Sequence, residues 1–223
     1  MKKDTPKGCL EGVLRDNVKV SCLYNNGRQG ITNSMERKVI YFEKTGAENT
    51  AACLEIVKNT IAHQGYKHIV IASTTGETGL LFSKALKGCS INIVVVTHSS
   101  GFKNLNVNEM SDNVRKKIEA SGSKVFTGSM LTHSIETSFS IKFSGLYPTL
   151  IVANSLRRFG EGSKVCCEIV MMAVDAGLIP EGEEVLAVAG TAKGADTVLV
   201  IKSAASKRFL DLRVLEILAK PRV

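Results

Sequence analysis

The sequence contains no Trp, only 5% aromatic residues and four prolines among its 223 residues. No apolar run reaches the roughly 20 residues that cross a membrane, and the amino terminus lacks the apolar region of a signal peptide. We therefore expect a cytoplasmic protein without a membrane partner. Its 44% apolar and 22% charged residues are typical of a globular chain with a sizeable core.

The six cysteines include no C-x-x-C pair, and neither Met-rich nor His-rich metal motifs occur. Zinc sites need such closely spaced ligands, so the sequence predicts no bound metal. Half of the cysteines fall in predicted helices, where a small buried thiol is common, and this usage fits a reducing compartment. The cysteines in helices are Cys53, Cys166 and Cys167, and the others are Cys9, Cys22 and Cys89.

The net charge of +8 is compatible with a nucleic-acid partner, but the pattern of basic residues is not. They are spread along the chain, without a zinc finger, an RRM-type aromatic motif or a long basic run. Arg157–Arg158 and Lys207–Arg208 are the places where such contacts would be sought, while Arg115–Lys116–Lys117 is expected on a solvent-facing helix surface. We expect no nucleic-acid partner.

The chain divides at Met35. Residues 1–34 are polar and carry turn signals such as Asn25–Asn26–Gly27. We expect them to be a loosely ordered extension, with Met35 as the real or ancestral start of the protein. Residues 35–223 are predicted to form one α/β domain.

Strands and helices alternate in this domain, which predicts a mostly parallel sheet with helices on both faces. The strands at 184–189 and 195–202 are too close in sequence for a parallel crossover, so they should form an antiparallel hairpin. Residues 129–147 allow no assignment, and 209–219 fits a strand or a helix. The other predicted strands are 38–42, 67–73, 91–97 and 124–127, and the predicted helices are 45–64, 77–86, 108–121, 148–159 and 163–176.

The stretch Ile69–Gly79 is predicted to be a buried strand, a tight turn and a helix start. Such a turn aims backbone N–H groups and the positive end of a helix at one point, where a phosphate binds well. The same residues contain Thr74-x-x-Glu77, a capping box with Thr74 as N-cap. The loop therefore fits both an anion site and a purely structural helix start. Thr45–Glu48 is a second predicted capping box.

Loops rich in Gly, Ser and Thr follow the carboxyl ends of four strands, at 73–79, 98–103, 128–134 and 190–194. Ligands of open α/β sheets bind beyond these strand ends. The pattern predicts a pocket of backbone N–H and hydroxyl groups, suited to phosphate and to ribityl-like polyols. Lys103 and Lys193 are expected to neutralise charge, and Phe102 is expected to stack on a flat ring.

Two histidines, His98 and His133, fall in these loops. His98 is the candidate for a general base or ligand donor, with a surface hydrogen-bonding role as the alternative. His63 and His68 are expected to be structural. A Ser-His-acid triad is not expected, because the sequence has no G-x-S-x-G elbow.

Several of these segments resemble the C-terminal α/β domain of pyruvate kinase. The resemblance covers about residues 35–223 and is closest to small archaeal stand-alone proteins similar to that domain. The residues that carry it are Ile69–Gly76 with the following helix, Ile93–Thr97, Ala173–Val185, and Gly190 with Asp196–Val200.

The resemblance implies a five-stranded sheet of order 3-2-1-4-5 with the last strand antiparallel. The loops at Ser73 and Gly190 then flank the topological switch point. In pyruvate kinases the loop similar to Ser73–Thr78 holds a phosphate of a sugar bisphosphate effector, and for the stand-alone group the resemblance implies flavin mononucleotide (FMN). Pyruvate kinase activity is not implied, because its barrel alone needs about 250 residues.

The sequence thus favours a domain that binds a phosphorylated flat ligand, FMN above all. One alternative is an enzyme acting on a small phosphorylated metabolite, with His98 as acid or base. The other is a non-catalytic regulatory or interaction module that forms a homo-oligomer. The residues predicted to bind the ligand are Ser73, Thr74, Thr75, Gly76, Glu77, Thr78, His98, Gly101, Phe102, Gly128, Ser129, Gly190, Thr191, Ala192, Lys193 and Gly194.

Overall fold

The computed structural model describes residues 35–223. The predicted extension and the prediction of a start at Met35 therefore concern residues 1–34, which lie outside the described residues. Within the described residues the strands are β1 (Ile40–Phe42), β2 (His68–Ala72), β3 (Asn92–Thr97), β4 (Lys124–Thr127), β5 (Glu184–Ala189), β6 (Thr197–Lys202) and β7 (Arg213–Pro221). The helices are α1 (Thr50–Gln64), α2 (Glu77–Ala85), α3 (Asp112–Glu119), α4 (Ile135–Phe143), α5 (Pro148–Leu156) and α6 (Glu161–Asp175). None of these helices is long and apolar enough to cross a membrane.

The strands form one sheet in the order β1-β7-β6-β5-β2-β3-β4. Among the strands of residues 35–223, β6 runs against its two neighbours, and the other pairs are parallel. The predicted order 3-2-1-4-5 is present in β2 to β6, with β6 antiparallel as predicted. The predicted number of strands is wrong, because β7 and β1 extend the sheet from five strands to seven.

β7 comes from the segment for which the sequence allowed either a strand or a helix. Its register against β6 shifts twice, between Val198 and Leu199 and between Val200 and Ile201. Each shift interrupts the alternation of inward and outward side chains. The mixed spacing of apolar residues in this segment is therefore the mark of an irregular strand.

The sheet has a hydrophobic core on each face, as the apolar strands predicted. On β2, Ile69 and Ile71 pack with α1 and α2, while Val70 packs with α6 on the other face. All three side chains are fully buried. Helices thus cover both faces, and the carboxyl ends of the strands are left to the loops.

Both predicted capping boxes are wrong. α2 begins at Glu77, and its N-cap is Gly76, at φ 93°, without a side-chain hydrogen bond. At the other position a short 3-10 turn, Ala47–Asn49, precedes α1, and its N-cap Gly46 likewise has no side-chain hydrogen bond. Thr74 therefore has no capping role, and its hydroxyl is left for other contacts.

The segment 129–147 contains α4, and Pro148 opens α5 as the first helical residue, as predicted. α5 continues into a 3-10 turn, Arg157–Phe159, and α6 follows directly after Gly160. A Cβ on Gly162 would lie 2.1 Å from the Thr197 hydroxyl oxygen. This close approach sets the start of α6 against β6, beside the strand ends.

Candidate functional site

A cavity of about 620 Å³ lies beyond the carboxyl ends of β2, β3 and β5. All four predicted loops and one side of α6 surround it. The lining residues are Ala72, Ser73, Thr74, Thr75, Glu77, Thr78, Val96, Thr97, His98, Phe102, Lys103, Glu109, Met130, His133, Arg157, Glu161, Lys164, Val165, Glu168, Ile169, Met172, Gly190, Ala192, Lys193 and Gly194.

The β2–α2 loop presents backbone donors to this cavity. The Ser73 hydroxyl accepts a hydrogen bond from the N–H of Gly79 at 3.0 Å, and the Ser73 N–H donates to the carbonyl of Val96 at 2.9 Å. The N–H groups of residues 75–78 donate no hydrogen bond to any described residue. Together with the positive end of α2, they form the kind of site at which phosphate binds.

Gly76 shapes this loop without lining the cavity. A Cβ on Gly76 would lie 2.3 Å from a methyl carbon of Val114 and within 3.3 Å of Met110, and its φ of 93° is strained for any L side chain. The glycine is therefore needed where α2 approaches α3. A substitution there tests packing as much as ligand binding.

His98 lies between a hydroxyl and a carboxylate. Its Nδ1 is 2.8 Å from Oε2 of Glu109, and its Nε2 is 3.3 Å from the hydroxyl oxygen of Thr74. All three side chains line the cavity. The three side chains form a line of hydroxyl, imidazole and carboxylate, in which Thr74 comes from the β2–α2 loop and the other two come from the β3–α3 connection.

Three rings meet at the mouth of the cavity. The centroids of His98 and Phe102 are 4.4 Å apart, and His133 meets Phe102 edge-on at 5.8 Å. Phe102 is 42% exposed, so part of its surface is available to a ligand. Burial, followed by the nearby Lys164 ammonium, lowers the pKa of His133 below its ordinary value.

α6 contributes a buried ion pair to the lining of the cavity. Lys164 Nζ lies 2.5 Å from Oε2 of Glu168, and the two side chains are only 2% and 3% exposed. Glu168 also accepts hydrogen bonds from the N–H and the hydroxyl of Thr132, at 2.8 and 2.7 Å. Burial alone raises the pKa of Glu168, but Lys164 and Thr132 outweigh it and leave the pKa below its ordinary value. Glu168 is therefore ionised at neutral pH.

Most charges of the cavity are neutralised by neighbours. Lys164 is paired with Glu168, and His98 contacts the carboxylate of Glu109. Arg157 Nε lies 2.7 Å from Oε2 of Glu161. Lys103, Lys193 and Glu77 form no ion pair with any described residue. Two unpaired ammonium groups against one unpaired carboxylate favour an anionic ligand.

Asp196 braces the β5–β6 loop at the cavity edge. Its carboxylate is fully buried and accepts hydrogen bonds from the N–H of Gly46 at 2.8 Å, the N–H of Thr191 at 3.0 Å and the Thr197 hydroxyl at 2.8 Å. The loop that carries Lys193 is thereby tied to the chain before α1.

The structure brings most predicted ligand residues together around one cavity. Gly76, Gly101, Gly128, Ser129 and Thr191 are not among its lining residues. Thr191 donates to Asp196, and a Cβ on Gly128 would lie 2.4 Å from the Phe126 ring. Their visible roles are in the backbone of the loops.

Sequence reasoning missed the α6 side of the cavity. Lys164 and Glu168 are four residues apart, which is also the spacing of a solvent-exposed helix pair, so their spacing does not indicate burial. Glu109 lies in a polar stretch that was predicted as helix, and the structure places it before α3. The contact of Glu109 with His98 and its position in the cavity lining mark it as part of the site.

The buried thiols and the acidic groups do not form a metal centre in the described part of the chain. No three His, Cys, Asp or Glu side chains are grouped as ligands among residues 35–223. Cys53, Cys166 and Cys167 are buried free thiols, and burial raises the pKa of Cys53 and Cys167 to about 12. Such thiols are inert at neutral pH.

Residues 51–201 match the family model described as the pyruvate kinase alpha/beta domain. The chain belongs to this family. Membership confirms the family-level resemblance that the sequence segments indicated. The pyruvate kinase alpha/beta domain match contains β2 to β5 and almost all of β6, so the two additional strands, β1 and β7, lie outside it.

Solved structures with similarity to this chain include pyruvate kinases of Cryptosporidium parvum. One, in complex with ADP, is 18% identical, and the match covers 73% of this chain and 25% of that chain with a TM-score of 0.39. Another is 17% identical over 70% of this chain and 23% of that chain, with a TM-score of 0.34. An O-ureido-L-serine synthase is 16% identical over 54% and 38% of the respective chains, with a TM-score of 0.28. The chain spans about a quarter of the pyruvate kinase chains that it matches.

Proposed function

We propose that the cavity binds a phosphorylated small molecule, with FMN as the leading candidate. The observation that carries this proposal is the cluster of N–H groups at residues 75–78 that donate to no described residue. The cavity is also lined by Lys103 and Lys193, whose ammonium groups have no ion-pair partner among residues 35–223. The phosphate binds the loop at the start of α2. The hydroxyls of Thr74, Thr75 and Thr78 add further hydrogen-bonding groups at this end.

The rest of the cavity suits the remainder of the ligand. Its volume of about 620 Å³ is within the range of roughly 300–1,000 Å³ that is usual for small-molecule sites. Phe102 offers an exposed ring surface to a flat heterocycle. FMN as the ligand follows from the resemblance to the stand-alone group, and any redox chemistry would be supplied by the flavin itself.

An absorbance titration with FMN and with riboflavin tests the proposal. The two ligands share the flavin ring and differ by the phosphate, so riboflavin is the matched control for the α2 loop. We expect FMN to bind at least about tenfold more tightly, since one such factor corresponds to about 1.4 kcal/mol of binding free energy. Equal affinities would show that the cavity does not bind the phosphate of FMN. If neither ligand binds, the cavity is not a flavin site.

A second candidate function is a non-catalytic regulatory or interaction module. Membership in the pyruvate kinase alpha/beta domain family supports it, and so do the exposed apolar side chains on α4 and α5. This function predicts an assembly whose size changes with ligand, which light scattering with and without FMN measures. A cytoplasmic location, an archaeal stand-alone origin and a homo-oligomer stay predictions.

A further inference from the structure

We propose that Thr74, His98 and Glu109 form a nucleophile, base and acid that hydrolyse a small anionic carboxylic ester in the cavity. The hydroxyl of Thr74 and the carboxylate of Glu109 contact opposite nitrogens of one imidazole, at 3.3 and 2.8 Å. A nucleophile within hydrogen-bond reach of a base that a third group orients is the arrangement of covalent hydrolysis. The activity goes beyond ligand binding and does not depend on FMN.

Thr74 lies at a suitable place in the chain for a nucleophile. It follows the end of β2 and precedes the start of α2, and a strand-to-helix turn is where α/β hydrolases expose their nucleophilic hydroxyl. The N–H group of Thr75 comes next and donates to no described residue, and Thr75 lines the cavity. A backbone N–H donor of this kind stabilises the oxyanion of an acyl-transfer transition state.

Glu109 is a positioning residue. Its Oε2 holds the Nδ1 side of His98, so Nε2 faces Thr74. A carboxylate in this place fixes the imidazole tautomer and stabilises the imidazolium that forms during attack. Glu109 belongs to the segment between β3 and α3 and lines the cavity.

The reaction needs only ester and water. Thr74 Oγ1 attacks the carbonyl carbon while its proton passes to Nε2 of His98, and the N–H group of Thr75 holds the oxyanion. The ester C–O bond breaks, and His98 returns the proton to the leaving alcohol. Water then attacks the acyl-threonine with His98 as base, which releases the acid and restores Thr74. No oxidant or reductant takes part.

The charges around the triad define the substrate class. Lys103 and Lys193 line the same cavity without ion-pair partners among the described residues, so they favour an ester that carries a negative group. The volume of about 620 Å³ restricts the substrate to a small molecule. Such an ester would compete with FMN for the cavity if both bind.

Hydrolysis of acetylsalicylate, a small anionic acetyl ester, by the full chain tests the triad. We expect Thr74→Ala and His98→Gln each to lower kcat by at least about 100-fold, while Thr74→Ser keeps it within about tenfold of the wild type. His63→Gln is the matched histidine control, because His63 is exposed and its Nδ1 contacts only the carbonyl of Asn59 in its own helix. Its kcat should be unchanged.

Three further readouts separate catalysis from folding. Mass spectrometry of quenched reactions should find one acetyl group on Thr74 in the wild type. Glu109→Gln should lower kcat and leave KM nearly unchanged, because the carboxylate stabilises the imidazolium that forms only during attack. Circular dichroism melts should show that the variants fold. Wild-type hydrolysis that persists in folded Thr74→Ala, or an acetyl group on another residue, would overturn the proposal, as would no hydrolysis by the wild type.

Discussion

Two helices of this protein, α6 and α4, make opposite use of apolar residues. α6 has eleven of its fifteen residues buried, and it packs on β5, β2 and β6. α4 has nine residues and buries none of them, with Ile141 81% and Phe143 68% exposed. The position of a helix relative to the sheet, more than its hydrophobicity, decides which one builds the core.

The two helices also differ in where they place their charged residues. α6 carries Lys164 and Glu168 in its buried surface, where each is the other's ionic partner. On α4, Glu136 contacts the N–H and the hydroxyl of Thr149, and both residues are only partly buried. A paired charge inside α6 should therefore matter far more to folding than the charged residue on α4.

Breaking the buried pair should have the largest effect. Glu168→Ala leaves the Lys164 ammonium buried without its carboxylate, and loss of one partner of such a pair typically costs about 3–5 kcal/mol. Urea unfolding followed by circular dichroism measures this loss. Glu136→Ala on α4 is the control, and a comparable loss there would contradict the contrast between the helices.

Replacing both charges sharpens the same contrast. Lys164→Met with Glu168→Leu removes the desolvation penalty together with the pair, and such replacements are often neutral or stabilising by about 1–4 kcal/mol. The double variant should therefore unfold at a urea concentration no lower than that of the wild type. A double variant as unstable as Glu168→Ala would show that the charges hold the wall through Thr132 rather than through each other.

The same substitution in the two helices gives the next largest difference. Ile169→Ala on α6 removes a side chain that is 4% exposed, and such truncations cost about 2–5 kcal/mol. Ile141→Ala on α4 removes a side chain that is 81% exposed, and we expect a change within about 0.5 kcal/mol. Thermal unfolding of the pair measures both, and a large effect at Ile141 would mean that another surface covers it.

The smallest stability effect should come from acid. The pKa of His133 is lowered in the folded protein, so the unfolded chain binds the proton more readily and stability falls as pH decreases from about 6.5 toward the folded pKa. His133→Asn should flatten this slope in urea unfolding measured between pH 7 and pH 5. His68, whose pKa is also lowered by burial, should still contribute to the slope of stability against pH. An unchanged slope in His133→Asn would show that His133 does not contribute to it.

The elements that the sequence predicted well are those whose signals are local. The β-branched runs that end in Gly, Ser and Thr predict β2, β3 and β5 and the loops that follow them. Pro148 marks the start of α5 in the same way. The order of the five strands from β2 to β6 came from the family resemblance, because no local pattern specifies which strands are neighbours.

The missed features depend on contacts between distant segments. β7 gains its partners β6 and β1 from far away in the chain, and its bulges blur the alternation. The role of Gly76 depends on how α3 packs against it, and a pattern of four residues cannot distinguish this from a capping box. The contacts of Thr74, His98 and Glu109 likewise join two loops, which are neighbours because β2 pairs with β3.

The proposed phosphate site depends on the ammonium groups in the cavity that have no ion-pair partner among the described residues. The most direct test compares FMN affinity in Lys193→Gln with that in Lys202→Gln. Lys193 lines the cavity. Lys202 lies opposite Glu184 in the register of β5 and β6, at the end of these strands away from the cavity. We predict weaker FMN binding for Lys193→Gln and unchanged binding for Lys202→Gln. Equal affinities in the two variants would contradict the account.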